Sequence, residues 1–167
     1  GFILVAAIFG YGQLSEGKEE DGAKGDVLFE WVELKYDWKG MGESEAEWRA
    51  QGTYIPHNCA LAGVKFYDGR YYVTVPRWTP GVPATLNVVV EGEDGDPVLR
   101  PWPNLAVQDI REFDGTSGGP RPLLYVQSME INPSGVMYVI DAGLLNLFDE
   151  DAYVWYGPRL VALDIVS

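Results

Sequence analysis

Short apolar runs of period two alternate along this chain with breaks rich in glycine, proline and aspartate. The pattern is clearest between Tyr54 and Leu86. Ala62 to Tyr67 and Arg70 to Val75 read as strands on either side of Asp68-Gly69, and an Asp-Gly pair flanked by alternating apolar residues is the strongest short-range hairpin signal. Pro76 has no N–H to give to a sheet, so the second strand ends there. A Pro/Gly loop then leads into a third strand over Thr85 to Val90, followed by an acidic turn at Glu91 to Asp96. Leu123 to Asn132 and Val136 to Ala142 predict another hairpin around Pro133-Ser134-Gly135, and Tyr153 to Gly157 with Arg159 to Val166 predicts a third pair. Towards the start, Val27 to Tyr36 places Val27, Phe29 and Trp31 on one side of a strand. Ser44 to Gln51 predicts a short helical turn, with Ser44 as N-cap and Glu47 three residues on as its capping-box partner. No long helix is predicted. The expectation is an all-β chain of antiparallel hairpins, compatible with a sandwich, a barrel or propeller blades.

Composition narrows the partners. The chain has 167 residues, 47% of them apolar, enough for a packed core. Lys and Arg number 12 against 25 Asp and Glu, a formal charge of −13. Such a chain repels phosphate backbones, which argues against nucleic acid and weakly favours a cationic small ligand. Phe2 to Phe9 is apolar but too short for a membrane span of about 20 residues. It has the length of a signal-peptide core, with Gly10 to Gln13 available for cleavage. Residues 1–13 are therefore expected to be a signal peptide lacking its first residues, 14–26 a polar lead-in, and 27–167 the folded part of an extracellular protein. Cys59 is the lone cysteine, and no N-x-S/T acceptor is present.

Few residues point to chemistry. Arg77-Trp78 offers a guanidinium and an indole that would line a ligand site by hydrogen bonding and stacking, or else pack between layers. His57, between Pro56 and Asn58, reads as a loop residue. Gly115 to Pro120 is similar to the serine-protease G-D-S-G-G-P phrase, but Thr116 stands where that phrase has Asp and His57 is the sole histidine. No H-x-H, C-x-x-C or H-E-x-x-H pattern is present, so neither a transition metal nor a cofactor is expected.

Several phrases carry a family resemblance. Tyr54-Ile55-Pro56 with Asn58, Gly63-Val64, and Val73-Thr74-Val75-Pro76-Arg77-Trp78 followed by Gly81-Val82-Pro83-Ala84-Thr85-Leu86 resemble the yellow / major royal jelly protein family. The likeness continues through Leu99-Arg100-Pro101-Trp102-Pro103, through Met137 to Gly143, and through Pro158 to Asp164. It implies a secreted six-bladed β-propeller, of which this chain would supply an N-terminal fragment of about two to three blades at ~40–45 residues each. It also implies a function: binding of a small, amine-like ligand, with a dopachrome-converting tautomerase or a calcium-dependent, lactonase-like hydrolase as alternatives. In a propeller, Asp141 at a strand end would face the central channel and hold a cationic amine or a metal ion, with Glu130 and Asn132 as further oxygen donors. The ligand-binding candidates are thus Arg77, Trp78 and Asp141. The family's paired cysteines do not carry over, since Glu130 to Gly135 contains none.

Overall fold

The computed structural model describes residues 25–114, 121–150 and 152–165. The apolar run Phe2 to Phe9, nearly all of the lead-in and the phrase Gly115 to Pro120 lie outside the described residues. Among the described residues the chain is all-β apart from one short helix and two single turns of 3-10 helix. Four strands, β1 (Val64–Tyr67), β2 (Arg70–Thr74), β3 (Leu86–Glu91) and β4 (Pro97–Pro101), form an antiparallel meander in the order β1-β2-β3-β4. β5 (Val126–Ile131) and β6 (Val136–Asp141) pair as a second hairpin. β7 (Leu144–Leu145) and β8 (Tyr153–Val154) form a small ribbon, and β9 (Arg159–Asp164) returns to pair with β6. The second sheet is therefore ordered β5-β6-β9.

Local chemistry explains the turns. Asp68 and Gly69 both take positive φ, 47° and 74°, as a tight hairpin whose twist matches its strands requires. At the second hairpin the Asn132 side-chain oxygen accepts from the N–H groups of Ser134 and Val136. The helix α1 (Glu45–Ala50) starts with the expected capping box: the Ser44 hydroxyl accepts from the Glu47 N–H, and the Glu47 carboxylate accepts from the Ser44 N–H.

Two expectations are corrected. Val27 to Tyr36 is not a strand. It runs extended along the first sheet and makes one isolated parallel bridge, Tyr36 to Leu99. Part of it covers the sheet rather than extends it: Phe29 packs edge-on against Tyr71, and the Trp31 indole N–H reaches the Pro97 carbonyl, while Val27, Leu28 and Val32 stay exposed. Nor do the last two apolar segments pair with each other. Tyr153–Val154 pairs with Leu144–Leu145, whereas Arg159–Asp164 lies along the full length of β6. Gly143 sets this branch. It has φ of +69°, and any side chain there would run into the Tyr156 carbonyl, so the chain leaves the sheet after Asp141 and comes back only at Arg159.

The inner strands of the first sheet are buried on both faces by their alternation, while β1 leaves Val64 and Phe66 exposed. On one face Tyr72, Leu86 and Val88 meet Val126, Met129, Met137 and Val139 of the second sheet. On the other, Val73, Val75 and Leu99 meet Leu34, Tyr36, Met41, Trp48 and Tyr54. Each fully buried aliphatic side chain contributes about 1.5–3 kcal/mol. The second sheet is covered on one face only. Its outer face exposes Tyr138, Ile140 and Leu160, the last at 73%. No helix among the described residues is long and apolar enough to cross a membrane.

Candidate functional site

The segment that opens the second sheet is held from two directions. Arg77, only 2% exposed, follows the end of β2 and points its guanidinium at backbone carbonyls. Nε donates to Val82, one terminal nitrogen to Leu123 and Leu124 (2.8 and 2.9 Å), and the other to Pro83 and Gln108 (both 2.8 Å). An arginine has five N–H donors, and here all five are engaged. Burial pulls its pKa down to about 10, so it keeps its charge at neutral pH.

Asp141, fully buried at the end of β6, answers from the other side. Its carboxylate accepts from the N–H groups of Leu124, Tyr125 and Gly143, from the Tyr156 hydroxyl (2.8 Å), and from Arg159 (2.7 Å). Burial would raise its pKa, but the hydrogen bonds from Arg159, Tyr125, Tyr156 and Gly143 outweigh burial and hold it below the usual carboxylate value. Burial and the adjacent carboxylate push the Tyr156 hydroxyl up. Leu124 is thus gripped at both ends of its backbone, its carbonyl by Arg77 and its N–H by Asp141.

Two threonines complete this joint. The Thr74 hydroxyl donates to the Gln127 carbonyl (2.7 Å), while the Thr85 hydroxyl accepts from the Val126 N–H (2.9 Å). Gln108 replaces a missing strand: its side-chain amide binds both the N–H and the carbonyl of Leu86. The pattern of residues did not single out Thr74, Thr85 or Gln108. The one available signal for the threonines was their place in the largely apolar run Val73 to Leu86, and nothing local marked Gln108.

Trp78 points elsewhere. It is half-buried, and its indole lies near the Tyr125 hydroxyl. The Tyr125 hydroxyl in turn reaches the exposed Gln127 side chain at 3.4 Å. The Trp78 carbonyl accepts from the Phe148 N–H and the Arg77 carbonyl from the Asn146 N–H, which sets the Phe148 ring beside the indole, centroids 6.3 Å apart and planes at 31°. So Arg77 and Asp141 meet on one segment with no free hydrogen-bonding capacity, while Trp78 alone of the three faces an open surface.

The oxygen set expected around Asp141 does not converge. Glu130 pairs with Lys65, and Asn132 is used by its own turn. Among the described residues no group of three His, Cys, Asp or Glu side chains could hold a metal ion. His57 is exposed in a 3-10 turn. Cys59 is a free thiol near the carbonyls of Ile55 and Gly81, and burial pushes its pKa up to about 12, which keeps it a protonated, unreactive group.

No family model matches the chain. Curated relatives do. The chain is 29% identical to the L-dopachrome tautomerase yellow-f of Drosophila melanogaster over 99% of its own length and 41% of that protein's. It is 25% identical to the Dopaminechrome tautomerase of the same fly, over 85% of the chain and 30% of the relative. Protein yellow of that species is 31% identical over 59% of the chain and 17% of the relative. The chain therefore spans less than half the length of these relatives. The joint formed by Thr74, Arg77 and Thr85 lies in the phrases that carried the resemblance, and these curated relatives, yellow proteins and tautomerases among them, are what the chain is similar to.

Proposed function

We propose that this chain belongs to a tautomerase acting on aminochromes, the coloured indoline quinones formed by oxidation and cyclisation of catecholamines. One observation carries the reading: the similarity to yellow-f, named for L-dopachrome tautomerisation, runs through 99% of the chain. The similarity to a relative named for dopaminechrome supports the same substrate class. Tautomerisation moves a proton from carbon next to a carbonyl, which needs a positioned base and acid. The test is the loss of L-dopachrome and dopaminechrome colour in the presence of the purified protein, against heat-treated protein. Decay no faster than that control overturns the reading.

A second reading is retention of an amine-like ligand without turnover. It is favoured by the saturation of Arg77 and Asp141, which leaves the described residues without an evident acid–base pair. Unchanged ligand recovered from the protein after equilibrium dialysis would support it. The calcium-dependent hydrolase draws no support from the positions of Asp141, Glu130 and Asn132.

The accompanying fold proposal is a ring of sheets, secreted, in which the two sheets are neighbouring blades. The support is geometric. The first sheet packs by one face on the second, the edge strand β1 lies against β5, and apolar side chains stand on both outward faces: Val64 and Phe66 on one, Ile140 and Leu160 on the other.

A further inference from the structure

A cleft of about 190 Å3 lies between the loop after β2, the segment after β4 and the end of β7. Residues 80–83, Asp109 to Arg111, and Leu145 with Asn146 line it, together with Trp48 of α1. A cavity of about 150 Å3 is enough for benzene, so this one admits a six-membered ring. Its hydrogen-bonding capacity is one-sided. The four carbonyls of residues 80–83 are already taken: Pro80 accepts from the Asn58 amide, Gly81 from the Ile55 N–H, and Val82 and Pro83 from Arg77. The Asp109 carboxylate accepts from the backbone N–H and the guanidinium of Arg111. Burial would raise the Asp109 pKa, but the bonds and charge of Arg111 outweigh it and hold the group below the usual carboxylate value.

Donors remain. Arg111 gives Nε and one terminal nitrogen to Asp109 and the other terminal nitrogen to Glu43, at 3.1 Å. A guanidinium has five N–H groups, so some stay uncommitted among the described residues. The guanidinium carbon sits 4.1 Å from the Trp48 ring centroid, and two carboxylates and an indole face thus hold the group in one orientation. The indole N–H of Trp48, a residue only 1% exposed, has no acceptor among the described residues. Fixed donors without acceptors suit a ligand that brings acceptors. One guanidinium between two carboxylates leaves the neighbourhood negative, which disfavours an anionic acceptor and favours a neutral carbonyl. We propose that this cleft seats a ring carbonyl of an aminochrome, with Arg111 as its hydrogen-bond donor. This rests on the aminochrome reading and gives it a place. Val82, Ile110 and Leu145 supply the apolar wall for the ring.

The experiment titrates the purified protein calorimetrically with isatin, a stable flat indoline bearing two adjacent carbonyls, and with indoline, the same skeleton without them. The loss of dopaminechrome and L-dopachrome is followed alongside. Isatin should bind at least tenfold tighter than indoline. Arg111→Leu keeps an apolar group over Trp48 but removes the donors. It should abolish the preference for isatin and slow aminochrome loss at least tenfold. Leu145→Phe, which fills the cleft, should weaken isatin at least tenfold, and it carries the test if Arg111→Leu does not fold. Glu43→Gln, outside the cleft lining, should leave isatin binding within twofold. If the aminochromes are consumed but both cleft variants leave that rate and isatin binding unchanged, the cleft is wrong and the aminochrome reading stands. If neither aminochrome is consumed but isatin binds and needs Arg111, the reading falls and the cleft stands as a carbonyl site. Isatin binding no tighter than indoline overturns the cleft.

Discussion

Arg77 is the residue whose replacement discriminates best between a charge and a geometry. Arg77→Lys keeps the charge, but an ammonium has three donors for the five carbonyls that the guanidinium serves. At least two buried acceptors are left unpaired at about 1–3 kcal/mol each, so the variant should lose about 2 kcal/mol or more. A urea midpoint unchanged from wild type would show that the carbonyl set does not depend on the fork. Asp141 adds a pH dependence. The unfolded carboxyl titrates near ~3.9, and the folded one lies below that, so the unfolded chain takes up the proton first as pH falls. Its stabilisation is therefore complete above ~pH 5 and is lost as pH falls through the folded pKa. The difference in unfolding free energy between wild type and Asp141→Asn should be flat near neutrality and shrink below about pH 4. A difference that stays constant down to pH 3 would contradict the depressed value.

Turns and strands separate into those that carry their own instructions and those that borrow them. The Asp68-Gly69 hairpin and the Ser44–Glu47 cap were legible because their determinants lie within four residues. The pairing of β9 with β6 was not, since it depends on Gly143 sending the chain out through β7 and β8 first. Val27 to Tyr36 misled for a related reason. Alternation marks a chain lying against a sheet as well as a strand within one, and only Tyr36 reaches β4 to pair. Arg77 and Asp141 were legible as unusual, but their roles depend on carbonyls and N–H groups of residues 123–125, which no local pattern encodes. The two glycines make this measurable. Gly69→Ala meets open space and should cost only the left-handed backbone penalty of about 1–2 kcal/mol. Gly143→Ala adds a collision with the Tyr156 carbonyl and should cost clearly more in the same unfolding assay. Equal costs would mean that the branch at Gly143 is not sterically set.

Across the whole molecule, exposed apolar surface gathers on the outward faces of the two sheets, with Ile140 at 64% and Leu160 at 73%. Clustered apolar surface beside an unpaired edge such as that of β9 promotes association. The described chain should self-associate, and the pair Ile140→Lys and Leu160→Lys should shift it towards monomer in sedimentation velocity without lowering its unfolding midpoint. Sedimentation identical in both would remove these residues from any contact. The joint at Leu124 also sets a timetable for the chain's birth. Arg77 waits for acceptors 46 and 47 residues downstream. At ~5–20 residues per second the ribosome takes on the order of 2–9 s to deliver them. Until then water must keep the Arg77 cation, so the first sheet cannot close its inner end before the second has begun to emerge.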